Sequence, residues 1–200
     1  MPRELRRSQL LELATDLFAQ RGYAAASMDE LAQRAGVSKP VIYGLFGSKE
    51  GLLLAAIDAL GVELNETVAA AVADRSEPED LLRAGSLAFF RFVGERIATW
   101  SMVFAASRTV TDASPSAIAK LDEIRRRQDA LVAAVLLAAA SERGHEPDPL
   151  ELGALTRGLN GVYEGMVDWW TAHPDVEPEQ LAKWVVALIL PGLERLAARP

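Results

Sequence analysis

The chain of 200 residues contains no cysteine and only two histidines. The absence of cysteine excludes disulfides, cysteine-ligated metals and cysteine nucleophiles, and it is typical of proteins that fold in a reducing compartment. The longest uninterrupted apolar run, residues 130–140, is too short to span a bilayer. The sequence therefore favours a cytoplasmic protein that does not enter a membrane.

Recognisable catalytic signatures are also lacking. The chain has no Gly-rich phosphate loop, no HExxH and no GxSxG. His145 and His173 each lie near a proline in a polar loop, which favours surface residues over metal ligands. We predict a protein that is not an enzyme and has no metal or cofactor. The alternatives are an enzyme of unrecognised type and a helical module that binds other proteins.

Hydrophobic residues make up 50% of the chain and recur mostly at helical spacing. No segment alternates apolar and polar residues convincingly, as a half-buried strand does. The sequence therefore predicts an all-α protein with about nine helices, divided into a head (residues 1–48) and a larger helical body (residues 49–200). The predicted helices cover roughly residues 3–21, 28–35, 38–46, 49–73, 76–96, 97–107, 112–142, 150–172 and 178–198.

Residues 27–49 are the most informative stretch because helix starts and stops follow one another closely. Ser27 and Glu30 have the spacing of a capping box, which predicts that a helix opens directly after Ser27. Gly36 can adopt the positive φ of a sharp turn between helices. Ala32, four residues earlier, is small enough for a second helix to approach closely.

A second helix start and a third follow in the same stretch. Ser38 can cap the helix after the turn, Pro40 falls in its first turn, and Gly47 ends it. Ser48 can cap the next helix. Two short helices joined by a tight turn, with another helix directly after them, have the layout of a helix-turn-helix reader of DNA.

Lys39 and Lys49 each fall in the first turn of a predicted helix. A cation there opposes the helix dipole, at a cost of about 0.3–1 kcal/mol. A phosphate oxygen could bind the free N–H groups of the helix terminus together with the lysine. We therefore predict phosphate contacts for the pair. The alternative for either residue alone is a solvated lysine, with Glu50 offsetting Lys49.

The formal net charge of −7 is unevenly distributed. Residues 1–50 carry seven Lys or Arg and six Asp or Glu, a balance of +1, whereas residues 51–200 carry fourteen and twenty-two, a balance of −8. The acidic excess thus lies away from the predicted DNA-reading segment. Arg3, Arg6 and Arg7 add positive charge at the N-terminus, where a DNA contact and a frayed, solvated end are equally good explanations.

The residues of this helix-turn-helix segment and of the helices beside it resemble a known family. Residues 8–57 are similar to the DNA-binding domain of the TetR (tetracycline-repressor) family of bacterial regulators. The rest of the chain is similar to the family only in length and helical character. The matching residues are Leu17, Phe18, Gly22, Tyr23, Ser27, Leu31, Ala32, Ala35, Gly36, Val37, Ser38, Tyr43, Phe46, Lys49 and Leu52.

The resemblance implies a ligand-responsive repressor that binds a palindromic double-stranded DNA operator as a homodimer and is released by a small molecule of apolar or aromatic character. It makes residues 38–46 the recognition helix, with Tyr43 and Lys49 at phosphates. Gly44 and Leu45 depart from the family pattern, in which an Arg, His or Tyr often reaches DNA, so fewer polar contacts are expected. The DNA-binding residues that it indicates are Ser27, Ser38, Lys39, Pro40, Tyr43, Gly44 and Lys49.

The last two predicted helices have the features of an association surface. Glycines at spacings of three and four give one smooth face, and the final helix carries more apolar area than a surface helix normally shows. Two such helices from each chain could form a two-fold four-helix interface, and packing within one subunit is the alternative. The candidate interface residues are Gly158, Gly161, Gly165, Leu181, Trp184, Val185 and Leu188.

A small-molecule pocket is the third expectation for the body. Its polar candidates share one predicted helical face with apolar neighbours, and polar groups in such a place need partners. A bound ligand and structural hydrogen bonds, for example to an arginine, both meet that need. The candidate residues are Phe89, Phe92, Trp100, Phe104, Asn160, Tyr163, Glu164 and Val167.

Overall fold

A computed structural model describes residues 2–101, 115–141 and 147–197. Residues 97–101 are helical and no strand occurs in the described ranges, so the predicted all-α class with about nine helices is confirmed. None of the described helices is both long and apolar enough to cross a bilayer. The complete helices are α1 (Arg3–Ala25), α2 (Met28–Ala35), α3 (Lys39–Phe46), α4 (Lys49–Val72), α5 (Pro78–Gly94), α6 (Pro115–Ser141), α7 (Pro149–Thr171) and α8 (Pro178–Ala197).

Gly22 interrupts α1 at the predicted place. Its φ of 75° and ψ of 158° are not helical. The backbone nevertheless makes a further turn to Ala25, because the Ala26 N–H donates to the Gly22 carbonyl at 3.1 Å. The predicted break is therefore correct, and the helical stretch is one turn longer than predicted.

Contacts divide the chain into two compact units. The first comprises Met1–Val62 and Arg96–Ile124, and the second comprises Glu63–Glu95 and Arg125–Pro200. The division predicted from the sequence, between residues 48 and 49, stays a prediction. In the first unit α1 packs on α2 and α2 packs on α3. Its fully buried side chains include Leu10, Leu17, Phe18, Leu31, Ile42, Leu52 and Leu53.

In the second unit α5 packs along α8, and α7 also contacts α8. Gly94 permits a close approach here, since a Cβ at that position would lie 2.7 Å from the Trp170 ring. The Trp170 indole N–H donates to the Val176 carbonyl at 2.8 Å, which anchors the end of α7. The buried side chains of this unit include Phe90, Val93, Val167, Trp170, Leu181 and Val185.

Candidate nucleic-acid interface

The turn between α2 and α3 is fixed by one glycine and two backbone bonds. Gly36 has φ 63° and ψ 36°, the left-handed conformation that a side chain with a Cβ disfavours. Its N–H donates to the carbonyls of the last turn of α2, and the Val37 N–H donates to the Ala32 carbonyl at 3.0 Å. The turn predicted at Gly36 is confirmed, and it brings α3 directly after α2.

The start of α2 is also where the sequence predicted it, but the capping box is only half formed. The Ser27 hydroxyl accepts a hydrogen bond from the Asp29 N–H at 3.1 Å. Glu30 does not reach back to Ser27. Its carboxylate instead accepts from Arg34 at 2.5 Å and lies 4.0 Å from Arg21. The reciprocal half of the prediction is wrong because two guanidinium groups are stronger partners for a carboxylate than one backbone N–H.

The two serines that precede α3 and α4 behave differently. Ser38 makes no side-chain cap bond, so that prediction is wrong. The cause is local: Pro40 has no N–H to offer, and the Val41 N–H already donates to the Ser38 backbone carbonyl at 3.0 Å. The Ser48 hydroxyl does accept from the Gly51 N–H, at 2.8 Å, as predicted.

One side of α3 is buried and the other faces solvent. Ile42 is fully buried, and it holds α3 against the rest of the first unit. At Gly44 a Cβ would meet nothing within 4 Å. Val41, 42% exposed, was missed by the sequence reasoning, although it lies three residues before Gly44 and therefore on the same side. We name as the exposed α3 face the residues Lys39, Pro40, Val41, Tyr43 and Gly44.

Both lysines singled out in the sequence have partners within the protein. Lys39 Nζ lies 2.9 Å from Asp29 Oδ1, and this hydrogen bond raises the pKa of Lys39. Lys49 Nζ donates to the Ala24 carbonyl at 3.1 Å and lies 4.8 Å from the centroid of the Tyr23 ring. Desolvation by burial lowers the pKa of Lys49. Each cation is therefore held at the start of its helix by a residue of an earlier element.

The N-terminal arginines belong to a helix, because α1 begins at Arg3. The Arg7 guanidinium carbon lies 5.5 Å from the centroid of the Phe46 ring. Arg6 donates to the Gln9 side-chain carbonyl at 3.1 Å. The cation–π contact holds Arg7 at the last residue of α3.

In the second unit, two of the polar pocket candidates have structural hydrogen-bond partners. Asn160 donates to Asp129 Oδ1 at 2.6 Å, and Arg157 lies 3.0 Å from the other oxygen of the same carboxylate. The Tyr163 hydroxyl lies 2.7 Å from Ser86 Oγ. Because Ser86 donates its own proton to a backbone carbonyl 2.6 Å away, Tyr163 is the donor in this pair.

Aromatic rings surround Tyr163. Its ring centroid lies 4.8 Å from that of Phe89 and 5.7 Å from that of Phe90. Burial raises the pKa of Tyr163 to about 12, because the phenolate would be desolvated among these rings. The alternative of structural hydrogen bonding thus accounts for Asn160 and Tyr163 without a ligand.

The other pocket candidates differ in burial and in the unit to which they belong. Glu164 is exposed, whereas Phe92 and Val167 are buried in the second unit. Trp100 is buried and belongs to the first unit, and Phe104 lies outside the described residues. Among the described residues, no cluster of three His, Asp or Glu could hold a metal ion.

Thr156 is a buried polar residue that the sequence reasoning missed. Its hydroxyl has no hydrogen-bond partner among the described residues. Thr156 precedes Asn160, Tyr163 and Val167 by four, seven and eleven residues, so all four lie on one side of α7. Such an unsatisfied buried hydroxyl is rare in native proteins.

The candidate association surface divides into two groups. Leu181 and Val185 are fully buried within the subunit, so for them the prediction is wrong and packing within one subunit is correct. These two residues lie four apart on the side of α8 that packs within the second unit. Trp184 and Leu188 are 43% and 65% exposed, although Leu188 lies seven residues after Leu181 and so at nearly the same helical phase.

The three glycines of α7 are also open to solvent. Gly158, Gly161 and Gly165 are exposed, and a Cβ on any of them would meet nothing within 4 Å. Trp169, on the same helix, is 42% exposed, and its ring centroid lies 6.0 Å from that of Trp184. Trp169 was not among the residues predicted for this surface.

Two short helices joined by a glycine turn, the second of which presents an exposed face, define a helix-turn-helix DNA-binding protein. Residues 10–56 match the sequence model of the family described as "Bacterial regulatory proteins, tetR family". Residues 78–192 match that of "Tetracyclin repressor-like, C-terminal domain". The chain belongs to the TetR family of transcriptional regulators, whose members bind DNA operators and small-molecule effectors, generally as dimers.

Relatives and solved structures agree with this assignment. The chain is 31% identical to the HTH-type transcriptional regulator EthR of Mycolicibacterium smegmatis over 182 residues, covering 88% of the chain and 80% of EthR. It is 42% identical to the HTH-type transcriptional activator FasR of the same species over 104 residues, which are 52% of the chain and 48% of FasR. A TetR-like transcriptional regulator from Rhodococcus sp. RHA1 is similar in structure, with a TM-score of 0.70, 28% identity and full coverage of both chains.

Proposed function

We propose that this regulator binds a palindromic operator as a homodimer, with α3 of each subunit in a major groove. A small apolar or aromatic molecule then releases it from DNA. The observation that carries the DNA-binding assignment is the exposed α3 face, on an eight-residue helix whose opposite side is held by the buried Ile42. A helix that is anchored on one side and uncovered on the other has the form that the major groove admits.

The side chains around α3 fit phosphate contacts. Tyr43 is 42% exposed, so its hydroxyl can reach a backbone oxygen. Ser38 is exposed and its hydroxyl makes no cap bond, so it can donate to a phosphate. Ser27 is exposed at the start of α2, where the helix terminus also favours an anion.

The fixed cations favour the same interpretation. Lys49 begins α4, and its ammonium is already oriented by Ala24 and Tyr23. Arg7 is held against Phe46, so it lies at the same C-terminal end of α3 as Lys49. A phosphate that approaches the C-terminal end of α3 therefore meets positioned positive charges, which reduces the entropy lost on binding.

We propose that the exposed sides of α7 and α8 form the dimer interface, with Gly158, Gly161, Gly165, Trp184 and Leu188 at its centre. The uncovered glycines allow close helix approach, and the two apolar side chains supply area to bury. A two-fold axis through this surface would place the two recognition helices about 34–36 Å apart, one turn of DNA. Replacing Leu188 by Glu would then give monomers in sedimentation analysis, whereas a dimer that persists would contradict this interface.

We propose that the effector binds in the second unit, beside the row of residues from Thr156 to Val167 on α7. The unsatisfied Thr156 hydroxyl is a polar group that a ligand could pair with, and the aromatic rings around Tyr163 belong to the same unit. α4 contributes residues to both compact units, and it is our candidate for the element that transmits ligand binding. The ligand must bind the two conformations with different affinity for this to work.

Repression, a cytoplasmic location and the absence of catalysis belong to the same proposal. The relatives described above are named transcriptional regulators, which favours a regulator over an enzyme. Activation is the alternative direction of control, since FasR is named an activator.

The test is electrophoretic retardation of the DNA upstream of the gene by the purified chain, with a scrambled duplex as competitor. We expect sequence-selective retardation that weakens as salt rises. Lys49→Ala should reduce retardation, whereas Lys183→Ala, which removes an exposed lysine of the second unit, should not. If no duplex is selectively retarded, the alternative of a helical protein-interaction module becomes the better one.

A further inference from the structure

The centre of the exposed α3 face carries no side-chain hydrogen-bond donor or acceptor. Pro40, Val41 and Gly44 lie at spacings of three and four, so they occupy one side of the helix. The polar residues Lys39 and Tyr43, four apart, lie together along one edge of this group. Hydrogen bonds to base edges therefore cannot come from side chains at the centre of this helix.

Lys39 is also drawn away from that centre. Its ammonium lies 2.9 Å from the Asp29 carboxylate of α2. The residue best suited to a hydrogen bond with a guanine is thus engaged by an acid of the neighbouring helix. This leaves apolar contact as the means by which the middle of α3 can distinguish bases.

Gly44 supports the same conclusion independently, because it affects how closely the backbone of α3 can approach DNA. Glycine inside a helix is destabilising relative to alanine, yet no described neighbour lies where a Cβ would point. Packing within the subunit therefore does not require glycine here. Its absent side chain instead lets the backbone of α3 come close to an incoming surface.

The apolar group that the base edges of the major groove present is the C5-methyl of thymine. Val41 offers two methyl groups beside Gly44 and is 42% exposed. We infer that Val41 is a specificity-determining residue that packs against a thymine methyl in each operator half-site, with Gly44 permitting the approach. This inference rests on the proposed function, because it requires that α3 enters the major groove.

The test removes single methyl groups from the DNA. An operator is first selected from random duplexes by the intact chain, and each thymine is then replaced in turn by deoxyuridine, which lacks only the methyl. For the wild-type chain we expect one position in each half-site at which this change weakens binding about fourfold, the effect of burying one methyl-sized group. For Val41→Ala we expect less than a twofold effect at that position.

A matched control is available in the same unit. Val62 is 44% exposed and lies on α4, so Val62→Ala removes the same atoms from a different surface. This variant should keep the full sensitivity to deoxyuridine. Because alanine favours a helix more than valine does, Val41→Ala should fold at least as well as the wild type, and circular dichroism checks this.

The possible failures are distinguishable. An operator that is bound selectively but tolerates deoxyuridine everywhere overturns the thymine inference and leaves the DNA-binding proposal intact. A methyl effect of the same size in Val41→Ala also overturns the inference, since the contact then belongs to another residue. If no operator can be selected, the proposed function and this inference fail together.

Discussion

Asp29 of α2 and Lys39 of α3 form an ion pair across the helix-turn-helix unit, with Nζ 2.9 Å from Oδ1. Both side chains are well exposed, so the pair adds little to stability. Its consequence is functional under the proposed binding mode. The cation nearest the start of α3 is shared with a carboxylate, and that carboxylate repels the phosphates that α3 would approach.

Asp29→Asn should therefore strengthen DNA binding. Removing one like charge at the interface is expected to raise affinity about threefold at 0.1 M salt. The gain should shrink at higher salt, because screening already weakens the repulsion. Fluorescence anisotropy with a labelled operator measures this. Asp74→Asn makes the same change in net charge outside the DNA-reading helices and should leave affinity unaltered. Weaker binding by Asp29→Asn would mean that the pair positions Lys39 productively.

Lys49 and Tyr43 are both proposed to contact phosphate, but they should differ in their salt dependence. Lys49→Met removes a charge and should lower the slope of log K against log salt by about 0.9. Tyr43→Phe removes only a hydroxyl, so it should weaken binding at every salt concentration and leave the slope unchanged. Both effects should be similar on all operator sequences, because a phosphate contact does not distinguish bases. If Lys49→Met shows the same salt slope as the wild type, Lys49 does not contact phosphate and only its contact with Tyr23 remains.

Gly44→Ala should separate stability from binding. The position is helical and has room for a Cβ, so alanine should raise the free energy of unfolding by about 1 kcal/mol. The same methyl should hinder the approach to DNA and lower operator affinity several-fold. Gly51→Ala is the contrasting control, since its Cβ would lie 2.1 Å from the Phe46 carbonyl oxygen and should destabilise the fold. Urea unfolding and anisotropy on both variants check the pair of outcomes, and unchanged DNA affinity in Gly44→Ala would remove the reason given for this glycine.

Tyr163 should make the fold sensitive to alkali. Its pKa is raised from 10.0 to about 12, so between these values the unfolded chain releases a proton that the folded chain retains. The free energy of unfolding should thus be fully supported below pH 10 and fall by about 2–3 kcal/mol by pH 12. Tyr163→Phe should abolish most of this fall in the free energy of unfolding. The control Tyr43→Phe, at an exposed tyrosine, should leave the fall in place. The measurement is urea unfolding at several pH values, and an identical alkaline fall in Tyr163→Phe would contradict the assignment.

Features set by a few neighbouring residues could be predicted from the sequence. Gly22 breaks α1 and Gly36 turns the chain where expected, because glycine, which has no Cβ, adopts a positive φ at little cost. The prediction that the Ser38 side chain caps α3 was wrong, although it too concerns only neighbouring residues. Pro40 has no N–H and the Val41 N–H donates to the Ser38 backbone carbonyl, so the Ser38 hydroxyl has no partner for a cap bond. The start of a helix could thus be predicted more securely than the bonds that cap it.

Features that depend on packing between distant elements could not be predicted. Leu181 and Leu188 look alike in the sequence, yet one is fully buried and the other is 65% exposed. The partners of Lys39 and Lys49 come from α2 and from the end of α1, and spacing alone does not reveal them. Val41 was overlooked because an apolar residue beside a buried isoleucine is indistinguishable from core until the phase of the helix is known.

In the proposed complex, α3 of each of two subunits lies in the major groove of one operator. Dimethyl sulfate methylates guanine N7 in the major groove and adenine N3 in the minor groove, so protection of a bound operator distinguishes the two. We predict guanine N7 protection in two patches whose centres lie about 10 base pairs apart. Protection of adenine N3 alone, or a single guanine patch, would contradict it.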